Sequence, residues 1–174
     1  MDWSARVGPH FTWEETVTAD PDRPDVLAAR RRALANDPAA QRALEKMVAV
    51  AEWVRGLVGG RPVRITSGYR GPRRTGSQHD TGHALDLQVD GMSALELLAL
   101  MYEHRASAPY PLRQVIAESM HTDPASLSAP MRKGGGCWLH AAIATDEWAR
   151  PSSKPWATSC APRSGNRLYL AWSP

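Results

Sequence analysis

The chain has 174 residues, of which 43% are hydrophobic, and carries a formal net charge of +3. This length suits one domain with a single core, and the apolar content excludes a mostly disordered protein. The small positive excess gives no ground for nucleic-acid binding.

In chain order, a short helix is predicted over Pro24–Leu34, where Arg30–Arg32 would form a solvated face. Asp37-Pro38 opens the clearest helix, with an N-cap carboxylate followed by proline at the first helical position. Leu44, Met47, Val48, Ala51, Val54 and Val58 recur at helical spacing, and Gly59-Gly60 ends the run. Val63–Tyr69 reads as a strand, followed by a Gly/Pro/Arg-rich loop to Gln78 that contains Arg70, Arg73 and Arg74. A second strand is predicted over His83–Val89. Ser93-Ala94-Leu95-Glu96 has the form of a capping box and starts a helix with Leu97, Leu98 and Met101 on its apolar face. Strands are predicted over Arg113–Ser119, Trp138–Ala144 and Arg167–Trp172, with a polar loop from His121 to Gly136 and a Ser/Pro-rich stretch from Pro151 to Asn166. The expected fold is α+β, a small, mainly antiparallel sheet packed by helices. Residues 1–150 would form the domain, and 151–174 an extension packed on it or trailing from it.

Met1–Val7 has no apolar signal core, and nothing approaches transmembrane length. Synthesis in the cytoplasm, without membrane contact, is therefore the expectation, and a monomer is expected. Under those conditions Cys137 and Cys160 would be free thiols.

The chemistry concentrates in Ser77-Gln78-His79-Asp80-Thr81-Gly82-His83-Ala84-Leu85-Asp86 and in Trp138-Leu139-His140. His79, Asp86 and His140 make a three-ligand zinc set that leaves one coordination position open, as catalytic zinc requires. Alternation along a strand puts Gly82, Ala84 and Asp86 on one face, kept bare by the small residues, with Leu85 and Leu87 on the other. His140 likewise shares a face with Ala142 and Ala144. The sheet would thus carry the metal on its less bulky side.

At these residues the sequence resembles the D-alanyl-D-alanine metallopeptidases, zinc cell-wall peptidases grouped with lysostaphin-type enzymes and the hedgehog zinc domain. The signature Ser-x-His-x-x-Gly-x-Ala-x-Asp followed by Trp-x-His is matched at Ser77, His79, Gly82, Ala84, Asp86, Trp138 and His140. Ser67-Gly68-Tyr69-Arg70 is similar to the family's Ser-Gly-Tyr-Arg segment. His10-Phe11-Thr12-Trp13-Glu14-Glu15 is similar to the opening of its compact, single-domain branch. The resemblance implies Zn2+ on His79, Asp86 and His140. It implies that Arg70 binds a substrate carboxylate or polarises the scissile carbonyl, and that Ser77 holds the peptide or orients a ligand. A role for Arg70 on the substrate alone would leave zinc content untouched in Arg70→Ala.

One position departs from the family. Several branches place an acidic residue three positions before the last histidine as general base, and here that position is Cys137, whose thiolate could instead bind the metal. The replacement is Glu118, on a strand face shared with Gln114 and Ile116. Both a catalytic base and a solvated strand-end glutamate fit Glu118 from sequence. His121, three residues after Glu118, is a rival third ligand without the aromatic-x-His context, and His83 would line the cleft rim.

The resemblance implies peptidoglycan stem peptides or cross-links as substrate, with endopeptidase and carboxypeptidase action both open. A phage endolysin, a tail-associated wall hydrolase and an injected effector all fit, with a phage tail or injection apparatus as partner. The alternative is an inactive zinc-bearing binding or tail-structural module.

Overall fold

The computed structural model describes residues 1–19, 22–71, 76–121, 123–144 and 168–172. Three helices, α1 (Pro24–Ala35), α2 (Pro38–Leu57) and α3 (Ala94–Glu103), accompany five strands. The strands are β1 (Val63–Ser67), β2 (Ala84–Val89), β3 (Leu112–Ser119), β4 (Cys137–Ile143) and β5 (Leu168–Trp172). All pairings are antiparallel, in the order β1-β2-β4-β3-β5. This is the expected α+β fold. Arg167, Arg73, Arg74 and Cys160 lie outside the described residues. The predicted strand at the C-terminal end is present over 168–172, where it pairs with β3 at the sheet edge.

Local chemistry sets the helix boundaries as expected. The Asp37 carboxylate accepts from the Ala40 amide at 3.0 Å, and Pro38 occupies the first turn. The helix stops where Gly59 and Gly60 adopt φ of 67° and 75°, a left-handed conformation that costs glycine little. Both halves of the capping box form in α3, with Ser93 N donating to Glu96 Oε2 at 2.7 Å and Glu96 N donating to Ser93 Oγ at 3.1 Å.

The two faces of the sheet have different tasks. Leu85, Leu87, Val89, Val115, Ala117, Cys137, Leu139, Ala141 and Ile143 join the core with Leu44, Met47, Val48, Ala51 and Val54 of α2 and Leu97, Leu98 and Met101 of α3. This apolar layer supplies most of the folding drive, because each fully buried Leu, Ile, Val or Met side chain contributes about 1.5–3 kcal/mol. The opposite face carries the polar residues. The N-terminal segment is tied to α2, where Glu52 accepts from His10 N at 2.7 Å and Phe11 is buried. From there it passes beside the end of β1, with Tyr69 N donating to Thr16 O at 2.7 Å and Thr18 N donating to Tyr69 O at 3.1 Å.

Two expectations are corrected. Gly82 is not on the β2 face, since β2 begins at Ala84. It closes a short 3-10 helix, Gln78–Thr81, at φ 77°, and a Cβ there would stand 2.7 Å from the Ala40 carbonyl. Its bareness therefore lets α2 approach, and the room at Asp86 comes from Ala84. Arg30 is not on a solvated face either. It is buried, with Nη1 donating to Thr18 O at 2.7 Å.

Candidate metal centre

The register brings the site together in a row across the sheet. Ser67 pairs with Asp86, Asp86 with His140, and His140 with Ile116. Residues directly opposite in an antiparallel pair share a face, so the carboxylate and the imidazole emerge side by side. The register shifts by one between Ile65 and Ser67, and this bulge re-aims Ser67 so that it faces Asp86. His79 comes from the 3-10 helix ahead of β2, whose first amides are capped by Ser77 Oγ accepting from His79 N at 3.3 Å. Ser77 thus caps the turn that carries His79.

His79, Asp86 and His140 are all buried and form, among the described residues, a three-residue group that could hold a metal ion, each offering one atom within 4.8 Å of the others. His79 Nε2 lies 3.2 Å from His140 Nδ1 and 3.2 Å from Asp86 Oδ1, and His140 Nδ1 lies 2.9 Å from Asp86 Oδ1. Tetrahedral ligands at zinc–ligand distances of roughly 2.0–2.1 Å stand about 3.3 Å apart, so this donor triangle fits a zinc-sized cation. Two nitrogens and one carboxylate oxygen are also the donor types that zinc takes in catalytic sites.

The groups behind the ligands are equally specific. His79 Nδ1 is 2.9 Å from the Gly68 carbonyl. A carbonyl can only accept, so Nδ1 carries the proton and Nε2 turns its lone pair to the site. The Asp86 carboxylate divides its oxygens, Oδ1 toward the histidines and Oδ2 toward Arg70 Nη2, which donates to it at 2.8 Å. Arg70 Nε and Nη2 also donate to Ser67 Oγ at 2.9 and 2.7 Å. Burial alone would push the Asp86 carboxyl up. The adjoining His140 and His79 rings outweigh it and hold the group below the usual carboxylate range.

The remaining candidates fall into two groups. Gln114, Ile116 and Glu118 lie on the β3 face that includes His140, opposite Ala142, His140 and Trp138 respectively. Glu118 is half-buried and stands diagonally from His140, a separation that long side chains span. Cys137 and His121 lie elsewhere. Cys137 alternates onto the core side of β4, buried, with Sγ 3.1 Å from the Ser126 carbonyl and 3.3 Å from Ser119 Oγ. Cys137 thus points away from the His79, Asp86 and His140 row, because it is an odd number of residues from His140. His121 is exposed beyond β3, on the wall of a separate cavity of about 570 Å³ that also touches Asp90 and Arg132. His83 packs locally, with Nδ1 2.9 Å from Thr81 Oγ1.

Sequence inspection missed two participants, Ser67 and Gly68. Both stood in the Ser-Gly-Tyr-Arg segment, but their roles depend on the bulge and on the approach of Thr16, whose carbonyl leaves a Cβ at Gly68 only 2.0 Å of clearance. Among the described residues no helix is long and apolar enough to cross a membrane.

The family model described as Peptidase M15 matches residues 23–123. That span contains Arg70, Ser77, His79, Asp86, Gln114 and Glu118, whereas His140 lies beyond it and joins the site through the β2–β4 register. Comparisons with curated proteins and with solved structures returned no match.

Proposed function

The chain belongs to the peptidase M15 family, and from that premise we propose that it is a zinc peptidase hydrolysing peptidoglycan stem peptides or cross-links. The observation that carries this reading is the convergence of His79 Nε2, Asp86 Oδ1 and His140 Nδ1 on one buried point. His79, Asp86 and His140 would hold the metal, which when bound supplies Lewis acidity toward a carbonyl and lowers the pKa of a water toward neutrality.

The chain's own residues supply the rest. Glu118 accepts the proton of the attacking water and returns it to the leaving amine, which its place on the metal-bearing face permits. Arg70 uses its Nε and Nη2 edge on Ser67 and Asp86, while Nη1 has no partner among the described residues and remains for a substrate carbonyl or carboxylate. Gln114 lines the same face beside Ala142 and contacts the bound peptide. Delivery to the wall as an endolysin, a tail-associated hydrolase or an injected effector completes the proposal.

The test is purified protein on whole peptidoglycan, with and without chelator, with product masses read out. Chelator-sensitive release of peptides supports the proposal, and the masses identify the bond cut. His140→Ala should lose both zinc and activity while His121→Ala keeps both. Stoichiometric zinc with no cleavage of any wall substrate would establish the inactive binding module instead.

A further inference from the structure

The hydrogen-bond directions around Ser67 are forced by the chemistry of the donors. A guanidinium only donates, so both lone-pair positions of Ser67 Oγ are taken by Arg70 Nε and Nη2. The Ser67 hydroxyl proton must therefore go to another acceptor, and Thr18 Oγ1 lies 2.8 Å away. Thr18 Oγ1 also accepts from Gly68 N at 3.0 Å. With two donors pointing at it, its own proton turns to the Gly68 carbonyl at 3.2 Å. That carbonyl is the acceptor for His79 Nδ1. One threonine hydroxyl thus connects the support of Asp86, through Ser67 and Arg70, with the support of His79, through Gly68.

We propose that Thr18 is a positioning residue for the metal centre, holding His79 and Asp86 in register through this chain of hydrogen bonds. It lies outside the Ser-x-His-x-x-Gly-x-Ala-x-Asp signature and outside the family-matched span. Its own seat is built by the fold: Thr18 N donates to Tyr69 O at 3.1 Å, Thr18 O accepts from buried Arg30 at 2.7 Å, and Val17 bridges Tyr69 in parallel. The role rests on the metal assignment above, and acts on the ligands before any substrate is present.

The experiment compares wild type, Thr18→Val and Thr18→Ser. Zinc affinity is read by competition with a chromophoric chelator, ligand geometry by the visible spectrum of the Co2+-substituted protein, and folding by circular dichroism. Valine keeps the β-branched shape and removes the hydroxyl. Loss of an outer hydrogen-bond partner weakens metal binding by roughly 10–100-fold. Thr18→Val should fall in that range with an altered Co2+ spectrum, and Thr18→Ser should recover to within a few-fold of wild type. Should Thr18→Val fail to fold, Ser67→Ala breaks the same chain one link along and should show the same loss. Wild-type zinc affinity in the folded variant, or Thr18→Ser as weak as Thr18→Val, would overturn the role of Thr18 alone. A wild type that binds no zinc would overturn the metal centre itself.

Discussion

Arg70 Nη2 donates to Asp86 Oδ2 at 2.8 Å, on the opposite side of the carboxylate from the two histidines. Arg70 is therefore also bonded to the carboxylate proposed as a metal ligand. This changes what its removal should do. Acting on substrate alone, it would leave zinc unaffected. Bonded to Asp86, its loss frees one carboxylate oxygen and leaves Ser67 Oγ without two donors. Arg70→Ala should lower zinc affinity by about 10-fold or more as well as activity. Arg70→Lys keeps a charge but not the fork, and should recover only part of each. Chelator competition on both variants checks this, and undiminished zinc affinity in Arg70→Ala returns the residue to a purely substrate-facing role.

Glu118 is assigned a proton, not a metal. Glu118→Gln preserves size and hydrogen bonding while removing the basic oxygen, so zinc content and melting temperature should stay at wild-type values. Turnover should fall roughly 10²-fold or more, the usual worth of a positioned acid–base group. Steady-state hydrolysis of a wall peptide beside metal analysis separates the two effects. A wild-type rate in this variant places the base elsewhere.

Gly82 joins the helix of His79 to β2 at φ 77°, with the Ala40 carbonyl 2.7 Å from where a Cβ would lie. Alanine there meets both a left-handed backbone penalty and a main-chain clash, since the obstructing atom belongs to α2 and cannot swing aside. Gly82→Ala should be destabilised by about 2 kcal/mol or more, a drop in Tm of several degrees for a chain of this size. Because the distortion falls beside the ligand helix, zinc affinity should decline with it. Calorimetry of the metal-free protein isolates the folding part, and an unchanged Tm would refute the clash.

The local elements and the candidate ligands are legible from residues alone. Asp37-Pro38, Gly59-Gly60 and the Ser93–Glu96 box act through contacts within a few residues, so their effects could be read without knowing what they pack against. Alternation likewise put Asp86 opposite to Leu85 and Leu87, because side-chain direction in a strand has a period of two. Whatever depends on register and approach came only with packing. That Asp86 lies beside His140 follows from β2–β4 pairing between residues 54 positions apart, which no local pattern encodes. Ser67 reaches the metal row only because the register shifts after Ile65. Cys137 was legible as a departure, but its burial on the core face required the strand to extend back to residue 137. Thr18 carried no signal at all. Its hydroxyl matters because the N-terminal segment, anchored on α2 and Arg30, is laid against Gly68, and contacts of that kind are made by packing after the elements have formed.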